Sequence, residues 1–280
     1  MRTTSNPVFR NLPKQEGGYA SFGSASSGAA QATQFGQPQY TQADPFVTEP
    51  ERRPMTIDDV VTKTGITLGV LSISAIVSFF LVTNNNALAA PLAIGGAIVG
   101  LVLVLVATFG RKMDNPGIVL AYAVAEGLFL GALSFMFTFN IQGVAAGTLI
   151  GQAVLGTFGV FFGMLVVYKT GAIRVTPRFT RMIVGGIIGV VVLMLGNLVA
   201  SFFIDGGLGL RDGGMLAIVF SLVCIGLAAF SFLLDFDAAD QLIRAQAPEK
   251  AAWGVALGLT ITLVWLYVEI LRLLSYFQND

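Results

Sequence analysis

The sequence predicts an all-α, polytopic membrane protein, a bundle of about seven transmembrane helices carried behind a polar N-terminal tail. Three observations carry this prediction. Of the 280 residues, 55% are hydrophobic and only 11% charged, with a mean hydropathy of +0.77, whereas a soluble domain has about a quarter of its residues charged. Apolar runs recur near 65–83, 90–109, 117–138, 144–168, 182–204, 215–234 and 254–274, each close to the ~20 residues that cross a hydrocarbon core. Short polar breaks separate them, as at Asn84-Asn85-Asn86, Gly110 to Pro116 and Lys169 to Arg181.

Residues 1–55 read as a disordered polar tail and 56–280 as the seven-helix domain. The tail is rich in Gly, Ser, Gln, Ala and Pro, with scattered aromatics and no helical or strand period. It lacks the apolar core of a signal peptide, so the first hydrophobic helix is expected to act as the membrane signal. Order begins at Thr56-Ile57-Asp58-Asp59, which has the form of a capping box and places acid at the positive end of a helix dipole.

The 16 basic and 16 acidic residues cancel, which argues against a nucleic-acid partner. Their distribution is uneven. If the spans alternate, Arg52, Arg53, Lys63, Arg111, Lys112, Lys169, Arg174, Arg178, Arg181, Arg244 and Lys250 fall on one side, and only Arg211 and Arg272 on the other. The positive-inside rule then places the N-terminus in the cytoplasm and the C-terminus outside, and the plasma membrane is the expected location. Glycines four apart recur as Gly65/Gly69, Gly96/Gly100, Gly127/Gly131, Gly159/Gly163, Gly185/Gly189 and Gly254/Gly258. That spacing lets helices approach closely and predicts tight packing on nearly every span.

The chain has no histidine and one cysteine, Cys224, inside an apolar run. Histidine-dependent zinc sites and Ser–His chemistry are therefore excluded, as is an intrachain disulfide. The chain is expected not to be an enzyme and to need no cofactor. The partners expected are the lipid bilayer, cations including Ca2+ and H+, and, in a second reading, other membrane proteins.

Ionisable groups inside the hydrocarbon zone are costly and so become functional candidates. Glu126 stands near the middle of the third span, with no basic residue at comparable depth. It reads either as a pore carboxylate that attracts a cation or as a protonated side chain bonded to neighbouring backbone, and in the first reading Glu126→Gln lowers cation flux. Asp235, Asp237 and Asp240 cluster where the sixth span ends, a placement that opposes the helix dipole. Asp235 is the best placed of the three to face the bundle. Asp237 and Asp240 also fit a solvated loop. Glu269 and Arg272, three apart on the last span, suit a local ion pair.

The run Asn115-Pro116, Tyr122, Glu126-Gly127, Gly131 and Ser134, the Leu233-Leu234-Asp235 ending of span six, and Ala256-Leu257 with Leu271-Arg272-Leu273-Leu274 resemble the Bax inhibitor (transmembrane Bax-inhibitor-motif) family in its bacterial branch. The likeness extends over residues 56 to 275. It implies seven helices with the last at the centre and, in several members, a pH-sensitive calcium leak. Two aspartates on helices six and seven are thought to share a proton there and hold the pore shut. Asp235 matches the first. The second falls at Thr262, which cannot ionise, so any flux is expected to be less pH-sensitive near neutrality than a dyad would give, and Thr262→Asp to restore sensitivity. Arg111 matches the basic partner of the closed state. Asp235 is then expected either to pair with Arg111 or to be hydrogen-bonded by Thr262. The resemblance implies a Ca2+ leak channel, and by their own chemistry Glu126 and Asp235 would supply hard oxygen ligands that hold the ion transiently, with no fixed metal site. The alternative is a non-conducting regulator that binds other membrane proteins or a membrane protease.

Overall fold

Seven long helices account for nearly all of the chain described by the computed structural model, which comprises residues 53–139, 145–204 and 206–278. They are α1 (Ile57–Asn84), α2 (Ala89–Phe109), α3 (Pro116–Phe139), α4 (Ala146–Thr170), α5 (Pro177–Ala200), α6 (Met215–Arg244) and α7 (Ala251–Gln278). All seven are long and apolar enough to cross a membrane. Among the described residues no β-strand forms, only an isolated bridge between Pro54 and Pro248. The expected disordered tail lies, through residue 52, outside the described residues.

The first helix starts as its sequence demands. The Thr56 hydroxyl accepts from the Asp59 backbone N–H at 3.3 Å and the Asp59 carboxylate accepts from the Thr56 N–H at 2.9 Å, closing the capping box. Thr176 caps α5, with Pro177 in the first turn, where its missing N–H costs nothing. Gly171 ends α4 with a φ of +69°, a left-handed geometry that suits glycine.

The end of α6 departs from expectation. It runs to Arg244, about ten residues past the hydropathy boundary at Leu234, so Asp235, Asp237 and Asp240 lie within a helix and not at its C-terminus. The extension is amphipathic. Phe236, Ala239, Leu242 and Ile243 stay against the core, while Arg244 pairs with Asp240 at 2.8 Å and Gln241 donates to Asp237 at 2.6 Å, both at helical i,i+4 spacing. A hydropathy window stops at the first aspartate, but the helix does not.

Successive helices run in alternating directions, as the cross-contacts show. Ser74 and Ser78 of α1 donate to the Val124 and Leu128 carbonyls of α3 at 2.8 and 2.7 Å, so these two helices are parallel, while α2 runs antiparallel beside α3. Close packing is concentrated on α3. Gly127 and Gly131 bring its backbone against Leu71, Ser74, Ala75 and Ser78 of α1, and Gly96 of α2 lies against Ala125 and Phe129. The glycines at 65, 69, 159, 163, 185 and 189 have no such neighbour. Tight packing on nearly every span is thus corrected to one three-helix unit, α1–α3–α2.

The central last helix is present. α7 contacts α1, α3, α4 and α6, and 61% of its apolar window is buried against 6% for α5, which packs chiefly on α6. Isoleucine, valine and phenylalanine side chains such as Ile73, Phe80, Ile98, Ile188 and Val192 are exposed around the outside, the surface that a bilayer covers.

A bulky residue at Gly131 would collide with the Ala75 carbonyl and Ser78, whereas Gly159 faces open space. Gly131→Val is expected to destabilise the bundle by about 1–3 kcal/mol or more through overpacking. Thermal unfolding in detergent should show a large loss for Gly131→Val and little for Gly159→Val.

Candidate functional site

A polar seam lies within the bundle, on the face between α6 and α7. Thr262 of α7 donates to Asp235 Oδ2 of α6 at 2.7 Å, the arrangement the sequence offered as an alternative to pairing with Arg111. Asp235 Oδ1 lies beside Gly258, where a methyl group would stand 3.9 Å away. Both residues line a cleft of about 590 Å³ at the end of the bundle where α6 finishes and α7 begins. Thr108, Arg111 and Asp114, from the α2–α3 connection, complete its polar lining. One carboxylate oxygen is thus held by a hydroxyl, and the other stands beside Gly258 at a cleft lined mainly by apolar residues. Buried polar groups require such partners.

Arg111 borders this cleft with a φ of +52°, but among the described residues it forms no ion pair with Asp235. Asp237 points elsewhere, bonded to Gln241. Glu126 belongs to a different interface. Its Oε2 faces Gly100 of α2, where a methyl group would come within 2.6 Å, and it is not part of the cleft lining. The structure therefore brings Asp235, Thr262 and Arg111 together and leaves Glu126 and Asp237 apart from them.

A strap closes over the start of α7. The Met55 N–H donates to the Ala247 carbonyl at 2.8 Å and the Glu249 N–H to that of Arg53 at 3.0 Å. Lys63, almost buried, donates to the Glu249 carbonyl at 2.7 Å and its carboxylate at 3.2 Å, and lies over the Trp253 ring. Arg53 bridges Asp59 and Glu249. These contacts tie the beginning of α1 to the α6–α7 turn and fix the register of α7 against the cleft.

At the opposite end of the seam lies a group that sequence reasoning resolved only in part. Glu269 is 2% exposed and pairs with Arg272 at 2.8 Å, as their spacing suggested, but also with Arg211 at 3.1 Å. Arg211 comes from the α5–α6 loop, 58 residues away in sequence. No local pattern announces such a partner. The usable signal was the interval of seven between Thr262, Glu269 and Tyr276, which places all three on one face of α7.

These features define a multi-pass α-helical membrane protein with a carboxylate-bearing seam about its central helix. The chain matches the family described as Bax inhibitor 1 like over residues 6–279, and it belongs to that family. The match takes in most of the polar N-terminal segment, and so reaches further than the likeness over 56–275. No curated protein matches the chain.

Proposed function

We propose that this protein is a cation leak channel, for Ca2+ among other ions, in which the ion moves along the α6–α7 seam and meets Asp235. The observation that supports this most directly is the Asp235 carboxylate, anchored by Thr262 on one oxygen and open to a cleft on the other. Calcium prefers six to eight oxygen ligands, and one carboxylate, one hydroxyl and water make a weak, transient site. Weak binding is what conduction requires. Beyond Thr262 the seam is closed by Leu266, fully buried with Ala228 and Phe232 in one cluster, an apolar constriction of the kind that gates by excluding water. On this reading the chain is no enzyme and needs no cofactor.

A non-conducting regulator is the second reading, and one observation favours it. Gly159 and Gly163 of α4 and Gly185 and Gly189 of α5 present small-residue pairs with nothing against them, a surface on which a partner helix can pack.

Flux through purified protein in vesicles separates the two. Asp235→Asn keeps the shape but removes the attracting charge, and is expected to lower cation flux about tenfold. Glu126→Gln, on the α2–α3 interface, should leave it near the wild-type level. Loss with Glu126→Gln alone would move the path to α2 and α3, and no flux from any protein would favour the regulator.

The alternating helices gather Arg53, Lys63, Arg111, Lys112, Lys169, Arg174, Arg178, Arg181, Arg244 and Lys250 at one end, against Arg211 and Arg272 at the other. On the positive-inside rule this reading makes that basic end, with the Asp235 cleft, cytoplasmic and the C-terminus external, and takes the plasma membrane as the location. A reporter fused after Asp280 should be active only outside the cell, and a cytoplasmic signal would reverse the assignment.

A further inference from the structure

The Glu269 end of the seam holds more unmatched polarity than an ion pair explains. Its Oε1 takes both arginines, whereas Oε2 is enclosed without a partner, and so are Arg211 Nη1, Ser221 Oγ and Tyr276 Oη. Each enclosed and unbonded polar atom is costly, and native structures hold few of them. The four share one end of the seam, with the Ser221 hydroxyl next to the Glu269 carboxylate.

The two arginines are held differently. Arg272 is on α7 itself, in the turn after Glu269, and lies over the Phe137 ring. Arg211 arrives from a loop in which Gly206, Gly207, Gly209 and Gly213 all have positive φ. Its other guanidinium contacts are the Met194 thioether and the Phe220 ring. Glu269 and Arg272 cancel in charge. With Arg211 withdrawn, the site is no longer net positive, and Glu269 Oε2 with the Ser221 and Tyr276 hydroxyls becomes an all-oxygen set that suits a hard cation.

We propose that Glu269 is a second cation site on the seam, about 10 Å along α7 from Thr262, and that the Arg211 guanidinium is its tethered occupant. Arg211 plugs this end until a mobile cation takes its place. The conducting role of the site rests on the leak reading above, whereas its ability to bind a cation does not.

Chemical rescue tests it. Arg211→Ala empties the site, and in vesicles it is expected to raise cation flux about tenfold, within the range of ordinary coupling between two states. Millimolar guanidinium should restore the block and raise the Tm of Arg211→Ala while leaving wild-type Tm unchanged, and Glu269→Gln added to Arg211→Ala should abolish both effects. Removing a buried charge can prevent folding. Recovery of Arg211→Ala only when guanidinium is present would then support the site, and failure at every guanidinium concentration would overturn it. A folded Arg211→Ala with wild-type flux and no guanidinium effect overturns the plug while wild-type flux sensitive to Asp235→Asn sustains the leak. A guanidinium-dependent Tm without flux in any variant keeps the cation site and overturns the leak.

Discussion

A carboxylate enclosed in a bundle that stands in a bilayer must be matched by a donor or a cation, because no water is at hand to solvate it. The α6–α7 seam meets that constraint twice, by different means. Asp235 is matched on one oxygen by the Thr262 hydroxyl and opens on the other to a cleft. Glu269 is matched by two guanidinium groups and opens to nothing. Hydroxyl and arginine differ in consequence, since a neutral donor leaves the negative charge available to an ion, whereas a fixed cation cancels it. One end of the seam therefore keeps an uncancelled negative charge, while at the other Arg211 and Arg272 occupy the carboxylate.

The remaining helices make that seam possible. Glycines at 127 and 131 let α3 touch α1 at backbone distance, and the serines at 74 and 78 bond across the contact. Against this rigid unit α7 lies buried on several sides, positioned at its start by the strap from Arg53 to Thr56 and by Lys63. α5 is attached chiefly through α6 and remains open to lipid. Rigidity is thus concentrated around α3 and α7, while the loop that supplies Arg211 is joined to the least enclosed helix.

Much of the fold was legible because a bilayer demands about 20 apolar residues for each crossing, and seven such runs became seven helices. The end of α6 was not, because amphipathic continuation past Asp235 looks polar to a hydropathy window although Phe236 and Leu242 remain in the core. The packing role of the glycines was half legible. With 33 glycines in the chain, spacing by four recurs without a facing helix, so Gly159/Gly163 looked the same as Gly127/Gly131. At the site, Asp235 and Thr262 were paired through the family likeness, and the hydrogen bond between them follows. Depth alone put weight on Glu126, which lies on another interface. Arg211 was invisible, since its partner is distant in sequence and its loop reads as an exposed polar break.

The central claim is that the path follows the α6–α7 seam, and water access along α7 tests it most directly. Single cysteines at Val255, Thr262, Leu266 and Glu269, and at Gly100 facing Glu126 as the comparison, can be placed in a Cys224→Ser background and treated with a membrane-impermeant thiol reagent from the basic end. The account predicts fast labelling at 255 and 262, a sharp fall at 266 and 269, and none at 100. Labelling at 100 with protection at 262 would contradict it.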